Sequence, residues 1–159
     1  MKMTQDLFLE IYDKYKNTVY SVIFNYVKNV EDTADLQQEV FIKLFNNQTE
    51  YENDEHIKAW LIRVSANMSK NHLRNKKHVS DEPFSEDIPF YDKKENDDLV
   101  KEVLALPEKY RIPIHLFYYE DYSIKQISEV LETPEATVKV RLKRGREKLK
   151  KSLKKEDWL

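Results

Sequence analysis

With 159 residues, one Gly, five Pro and no Cys, the chain has room for one ordinary domain or two small ones, leans toward helix, and can form neither disulfides nor thiolate sites. Charged residues at 35 % and aromatics at 12 % predict a soluble folded protein, and with no apolar run long enough to span a bilayer a cytoplasmic location is expected. The net charge of −2 conceals two basic blocks: residues 56–80 carry six Lys or Arg and no acid, and residues 136–155 carry ten against the single acid Glu147. Acidic stretches, residues 1–55 and 81–98, precede each block, a pattern that suggests two polyanion contacts with the acidic surroundings opposing indiscriminate binding.

Phe8, Ile11, Tyr12, Tyr15, Val19, Val22, Ile23, Tyr26 and Val27 recur at helical spacing and predict a long amphipathic helix over 6–28. A second helix is expected after "NVED", with Leu36, Val40, Phe41, Leu44 and Phe45 as its apolar stripe. After the polar loop "NNQTEYENDE", residues 56–75 predict a third long helix packed on more than one side. Ile57, Leu61, Val64 and Met68 fill one sector and Ile62, Ala66 and Leu73 another. Arg63, Asn67, Lys70, Asn71 and Arg74 are left together within a sector of about 100°. Amides offer a donor and an acceptor to a base edge, and Arg and Lys hold phosphates, so this stripe suits nucleic acid. Trp60 borders it and could stack on a base, although a lone Trp more often belongs to a core.

The stretch "HVSDEPFSEDIPFYDKKENDD" has two prolines, dense acid and no period, and reads as a mobile linker. A second helical unit is expected from near Leu99. Pro107 suits the first position of a helix, and Pro113 should kink the same helix. Ser123 with Gln126 forms an S-x-x-Q capping box, and Thr133 followed by Pro134 reads as a cap and first turn. Ile124, Ile127, Val130 and Leu131 should face inward on the short helix. On the longer helix that follows, Val138, Leu142, Gly145, Leu149 and Leu153 form one stripe. Ala136, Lys139, Val140, Lys143 and Arg144 lie opposite, and Arg141, Arg146 and Lys148 lie on the flanks. A short helix, a tight turn and a longer helix with an outward basic face make a helix-turn-helix suited to a major groove. A solvated face or an anionic membrane surface are the alternatives, but the stripe is narrow and has no Phe or Trp before Trp158.

Enzymatic chemistry is not expected. His56, His72, His78 and His115 show no metal-ligand spacing, no nucleophile setting appears, and Gly145 alone cannot build a phosphate loop. A nuclease with scattered carboxylates is the enzyme alternative. The stronger rival is a stand-alone helix-turn-helix regulator with residues 1–78 as a sensory or dimerisation domain. It leaves the acid-free helix at 56–75, with its Asn and Arg, without a role.

Three stretches, "DLQQEVFIKLF", "HIKAWLIRVSANMSKNHLRNKK" and "LPEKYRIPIHLFYYEDYSIKQISEVLETPEATVKVRLKRGREKLKK", closely resemble regions 2 and 4 of bacterial extracytoplasmic-function sigma factors, in the family's order. The resemblance implies an all-α fold: residues 1–78 as region 2, residues 79–99 as a flexible acidic linker, and residues 100–159 as region 4 with its helix-turn-helix. It implies a protein that joins RNA polymerase core, recognises −10 and −35 promoter elements and starts transcription of a specific regulon of the stress or envelope kind. Asp35, Gln38, Glu39 and Phe41 match the stretch that docks on the clamp helices of the β′ subunit. Arg63, Asn67, Lys70, Asn71 and Arg74 would meet the −10 element, with residues 46–56 shaping a pocket for a flipped base. Many relatives have Asp where Asn71 stands. Thr137, Lys139, Val140, Arg141, Lys143, Arg144 and Lys148 would meet the −35 element, Lys143 and Arg144 at base edges, Arg141 and Lys148 at phosphates. A restraining anti-sigma factor, commonly membrane-anchored, is a further implied partner. No cofactor and no small-molecule substrate are implied.

Overall fold

The computed structural model describes residues 1–75 and 97–156, with side chains described for 1–75 and 99–153. The described residues form seven α-helices and no strand, grouped into two compact units, one on either side of the undescribed segment. The expected linker lies outside the described residues up to residue 96, as do His78 and Trp158.

The first unit packs α1 (Gln5–Val27), α2 (Val30–Asn46) and α3 (Asp54–Asn75) around one core. Thr4 starts α1 by accepting from the Leu7 N–H at 3.2 Å. Lys28 ends it in the left-handed region, φ 55°, where its N–H returns to the Phe24 carbonyl at 2.8 Å. Asn29 at once caps α2, its Oδ1 accepting from the Asp32 N–H at 2.9 Å. Two residues therefore reverse the chain, and α1 and α2 must pack as an antiparallel pair. Val19, Ile23, Val40, Leu44, Ile57, Leu61 and Ile62 are fully enclosed between the three helices. Asp32 on α2 reaches His72 on α3 at 3.2 Å, and Gln37 donates to the Lys16 carbonyl at 2.9 Å.

The second unit contains α4 (Asp97–Ala105), α5 (Glu108–Tyr118), α6 (Ile124–Leu131) and α7 (Glu135–Glu156). The helix α4 begins two residues before the expected Leu99. The helix α5 runs unbroken through Pro113, and Pro107 sits one position earlier than expected, as its N-cap. Residues Tyr110 to Leu116 are all buried, because α5 is wrapped by α4, α6 and α7. Arg111 is buried with its guanidinium donating to the Leu106 carbonyl at 2.7 Å, which satisfies a carbonyl at the turn between α4 and α5.

The cap of α6 follows expectation. Ser123 Oγ accepts from the Gln126 N–H at 3.1 Å, and Gln126 Oε1 accepts from the Ser123 N–H at 2.9 Å. The start of α7 differs. Thr133 does not cap it; its hydroxyl donates back to the Leu131 carbonyl at 3.1 Å. Glu132 takes the left-handed conformation, φ 52°, and the Ser128 hydroxyl donates to the Thr133 carbonyl, so Thr133 is spent on closing the turn. Pro134 stands just before the helix and gives its carbonyl to the Val138 N–H at 3.0 Å.

Gly145 sits where α5 crosses α7. A Cβ there would lie 2.9 Å from Ile114 Cγ1 and 3.5 Å from Tyr110 Cβ, and Ile114 is itself only 1 % exposed. Replacing Gly by Ala in a helix normally gains about 1 kcal/mol, but overpacking a filled core costs about 1–3 kcal/mol. We expect the clash to win: Gly145→Ala should lower the denaturation midpoint of the second unit and Gly145→Val should lower it further. A stabilised Gly145→Ala protein would show that Ile114 gives way.

His115 is 1 % exposed, and its ring stacks on Tyr119 at 5.4 Å. Burial pushes its pKa down from 6.5 to about 3, so the ring is neutral near neutral pH and its 3.8 Å approach to Glu120 is not an ion pair there. The unfolded chain takes up this proton near 6.5 and the folded one only near 3. The stability it contributes is therefore whole above 6.5 and falls, by about 1.4 kcal/mol per pH unit, as the solution is acidified between those values. NMR of the His115 ring should show no protonation at pH 5 while the protein remains folded. A midpoint near 6.5 would contradict this.

Candidate nucleic-acid interface

The helix α3 is held from two directions. Ile57, Leu61, Ile62, Ser65, Ala66 and Ser69 are buried against α1 and α2. Arg63, Asn67, Asn71 and Arg74 are exposed and Lys70 is half-buried, so the structure brings the five expected residues onto one side of the helix. The acids of the first turn, Asp54 and Glu55, lie at the opposite end from Arg74. Lys14 pairs with Asp54 at 2.7 Å.

The loop entering α3 is shaped by internal bonds. Tyr51 is 1 % exposed; its hydroxyl accepts from Asn47 Nδ2 at 2.9 Å, and its N–H donates to the Met1 carbonyl at 3.0 Å. Asn53 Oδ1 accepts from the His56 N–H at 2.9 Å, and His56 Nδ1 accepts from the Glu52 N–H at 3.1 Å. Trp60 is half-buried and meets Tyr51 edge-on at 6.2 Å, so its ring supports the loop.

The helix α7 divides along its length as the hydrophobic period requires. Val138, Leu142, Gly145 and Leu149 are buried, and Leu153 is half-buried. Lys139, Val140, Lys143, Arg144 and Lys148 are exposed, and Thr137 and Arg141 are half-buried. Val140, at 46 % exposure, is an apolar side chain in the middle of this cationic face, suited to the methyl group of a thymine. Lys148 Nζ lies 5.6 Å from the ring centroid of Tyr110, and the positive charge of Lys109 and Arg144 nearby holds that phenol below the ordinary tyrosine value. Arg146 donates to the Tyr118 hydroxyl at 3.4 Å.

On α2, Asp35, Gln38 and Glu39 are exposed on one side. Phe41 is not with them. It is 3 % exposed and packs edge-on against Tyr12 at 4.9 Å and Phe8 at 6.3 Å, so it can support that surface only from beneath. Phe45, expected in the buried stripe, is 51 % exposed, as is Ile42 at 53 %. With Phe8, Leu9 and Tyr12 these two line an open apolar groove that also includes Gln38. Sequence reasoning missed Ile42 and Phe45 as surface residues; their spacing from Gln38 and Asp35, four and seven or ten residues, held the signal.

Among the described residues no group of three or more His, Asp or Glu is placed to hold a metal ion, and no helix is long and apolar enough to cross a membrane.

Comparison with known proteins agrees with this arrangement. The family Sigma-70 region 2 matches residues 11–79, and Sigma-70, region 4 matches residues 97–149. The chain is 31 % identical to the ECF RNA polymerase sigma factor SigW of Bacillus subtilis, an alignment covering 96 % of this chain and 91 % of that protein. It is likewise 31 % identical to the RNA polymerase sigma factor SigV of the same species, over 97 % of this chain and 95 % of the relative. In fold it is similar to the sigma factor RpoE of Bartonella quintana, solved with the anti-sigma factor NepR, with a TM-score of 0.74 at 19 % identity over 96 % of this chain and 99 % of that one. Near full-length identity at this level, with both regions in order, places the sequence: the chain belongs to the extracytoplasmic-function sigma factors of bacterial RNA polymerase, the promoter-recognising factors that start transcription of a specific regulon.

Proposed function

We propose that the two units divide the promoter between them, α3 taking the −10 element through Arg63, Asn67, Lys70, Asn71 and Arg74, and α7 the −35 element through Thr137, Lys139, Val140, Arg141, Lys143, Arg144 and Lys148. The observation that carries this reading is the pair of faces itself: an amide-and-cation stripe on one packed helix and a cationic face around Val140 on another. Amides suit bases whose edges are uncovered, and cations flanking a short apolar contact suit a duplex groove. The residues between α3 and α4 connect the two. Core polymerase docks on α2 through Asp35, Gln38 and Glu39, with Ile42 and Phe45 as apolar anchors beside them and Phe41 as their support. An exposed aliphatic and aromatic pair ringed by acids and amides has the composition of a protein-binding patch. An anti-sigma factor, membrane-anchored or soluble, restrains the protein in the cytoplasm, and the protein performs no bond chemistry of its own.

Reconstituted transcription tests this. Added to core polymerase, the protein should produce defined transcripts from a subset of a genomic promoter library. Glu39→Lys should abolish most of them by weakening core binding, while changing stability by less than about half a kcal/mol, as exposed substitutions do. Transcription that is the same with and without the protein would overturn the reading, and unchanged core affinity in Glu39→Lys would remove α2 from the docking surface.

A further inference from the structure

The start of α5 sets an aromatic ring against the cationic flank of α7. Tyr110 is only 7 % exposed, yet Lys109 Nζ lies 5.1 Å and Lys148 Nζ 5.6 Å from its ring centroid. Gly145 lies against the base of this ring, where a Cβ would stand in ordinary contact with Tyr110 Cβ at 3.5 Å. Burial pushes the phenol's pKa up, but hydrogen bonding and positive charge from Lys109 and Arg144 outweigh it and hold the group below the ordinary tyrosine value. Arg144 and Lys148 continue into a shallow cleft along α7 lined by Glu147, Lys150 and Lys151. Cations from two helices thus converge on one phenol, with Glu147 as the single acid of the adjoining cleft.

Such a cluster works against itself. Like charges repel, and a cation–ring contact at the surface returns little against that repulsion. An anion between the ammonium groups and the hydroxyl would reverse the balance: the phenol O–H and the Lys donors can all point at one acceptor. The cluster lies on the flank of the DNA-facing helix, where a groove-bound helix meets the sugar–phosphate backbone rather than the bases.

We propose that Tyr110, Lys109 and Lys148 form a seat for one backbone phosphate of the promoter duplex at the edge of the −35 element. The seat rests on α7 being the −35-binding helix. It adds two residues outside the helix-turn-helix, Lys109 and Tyr110, to the DNA contact. It also fixes the rotation of α7, because a phosphate held on the Tyr110 side leaves Lys139, Val140 and Lys143 over the base edges.

The test uses the full chain bound to core polymerase and a randomised duplex library at several salt concentrations. Tyr110→Phe keeps the ring and removes only the hydroxyl; it should weaken binding to every selected sequence alike, by about tenfold for one lost hydrogen bond to a charged acceptor. Lys109→Ala, an exposed change, should also leave sequence preference intact and should lower the salt slope of binding by about one unit. If both variants match the parent in affinity and salt slope, there is no phosphate seat. If Tyr110→Phe instead changes which sequence is preferred, the phenol orients Arg144 toward a base and the seat is likewise overturned. A parent that selects no sequence at all would defeat the −35 reading itself, an outcome separate from either of these.

Discussion

The contact of α5 with α7 at Gly145 is the constraint on which the C-terminal surface depends. A groove-reading helix must be held tightly along one side so that its other side stays bare. Gly145 meets that need by removing the side chain where Ile114 presses in, 2.9 Å from where a Cβ would stand. The same closeness brings Tyr110 under Arg144 and Lys148, so the packing contact and the charge arrangement are one feature seen from two sides. In the N-terminal unit the solution is different. The two-residue corner at Lys28 and Asn29 forces α1 and α2 together, and α3 lies across both with small residues, Ser65, Ala66 and Ser69, on its buried side.

Charge then separates the work of the surfaces. The basic stripes of α3 and α7 occur in a chain whose net charge is −2, because the other segments are acidic. Screening over about 8 Å at physiological salt confines each stripe's attraction to what lies directly against it. An acidic body with two local cationic faces binds DNA where both faces meet their elements and is repelled elsewhere. The exposed acids of α2 suit a protein partner. Ile42 and Phe45 beside them supply the apolar area that charge alone does not.

The helices and their buried stripes were legible in the sequence because the apolar period is strong: Val19, Leu44, Leu61, Val138 and Leu142 are all enclosed as the period requires. The capping box at Ser123 was legible because its two partners are local. What failed was whatever depended on how particular side chains are covered or on which local hydrogen bond is made. Phe45 continues the α2 stripe by spacing, but α1 meets it edge-on with Phe8, at 5.2 Å, and leaves half its surface bare. Phe41, one turn earlier, is covered by both Tyr12 and Phe8 and so is buried, although the family resemblance had placed it in the docking stretch. Thr133 has the composition of a cap, but its hydroxyl donates back across the left-handed Glu132 to the Leu131 carbonyl. For Tyr110 the sequence offered no signal, since Lys148 lies 38 positions along and only the crossing of two helices brings them together. The site roles themselves came from the family resemblance; the structure contributes which of those residues share a face.

The central claim is that α3 and α7 read different promoter elements at the same time. Site-specific photocrosslinking in the open promoter complex tests it most directly, with a photoreactive residue placed once at Asn71 and once at Val140 of the full chain bound to core polymerase. The account predicts that the probe at position 71 labels the separated strand at the −10 element and the probe at position 140 labels the duplex at the −35 element, each without the other. Labelling of one and the same element from both positions, or of DNA from neither, would contradict it.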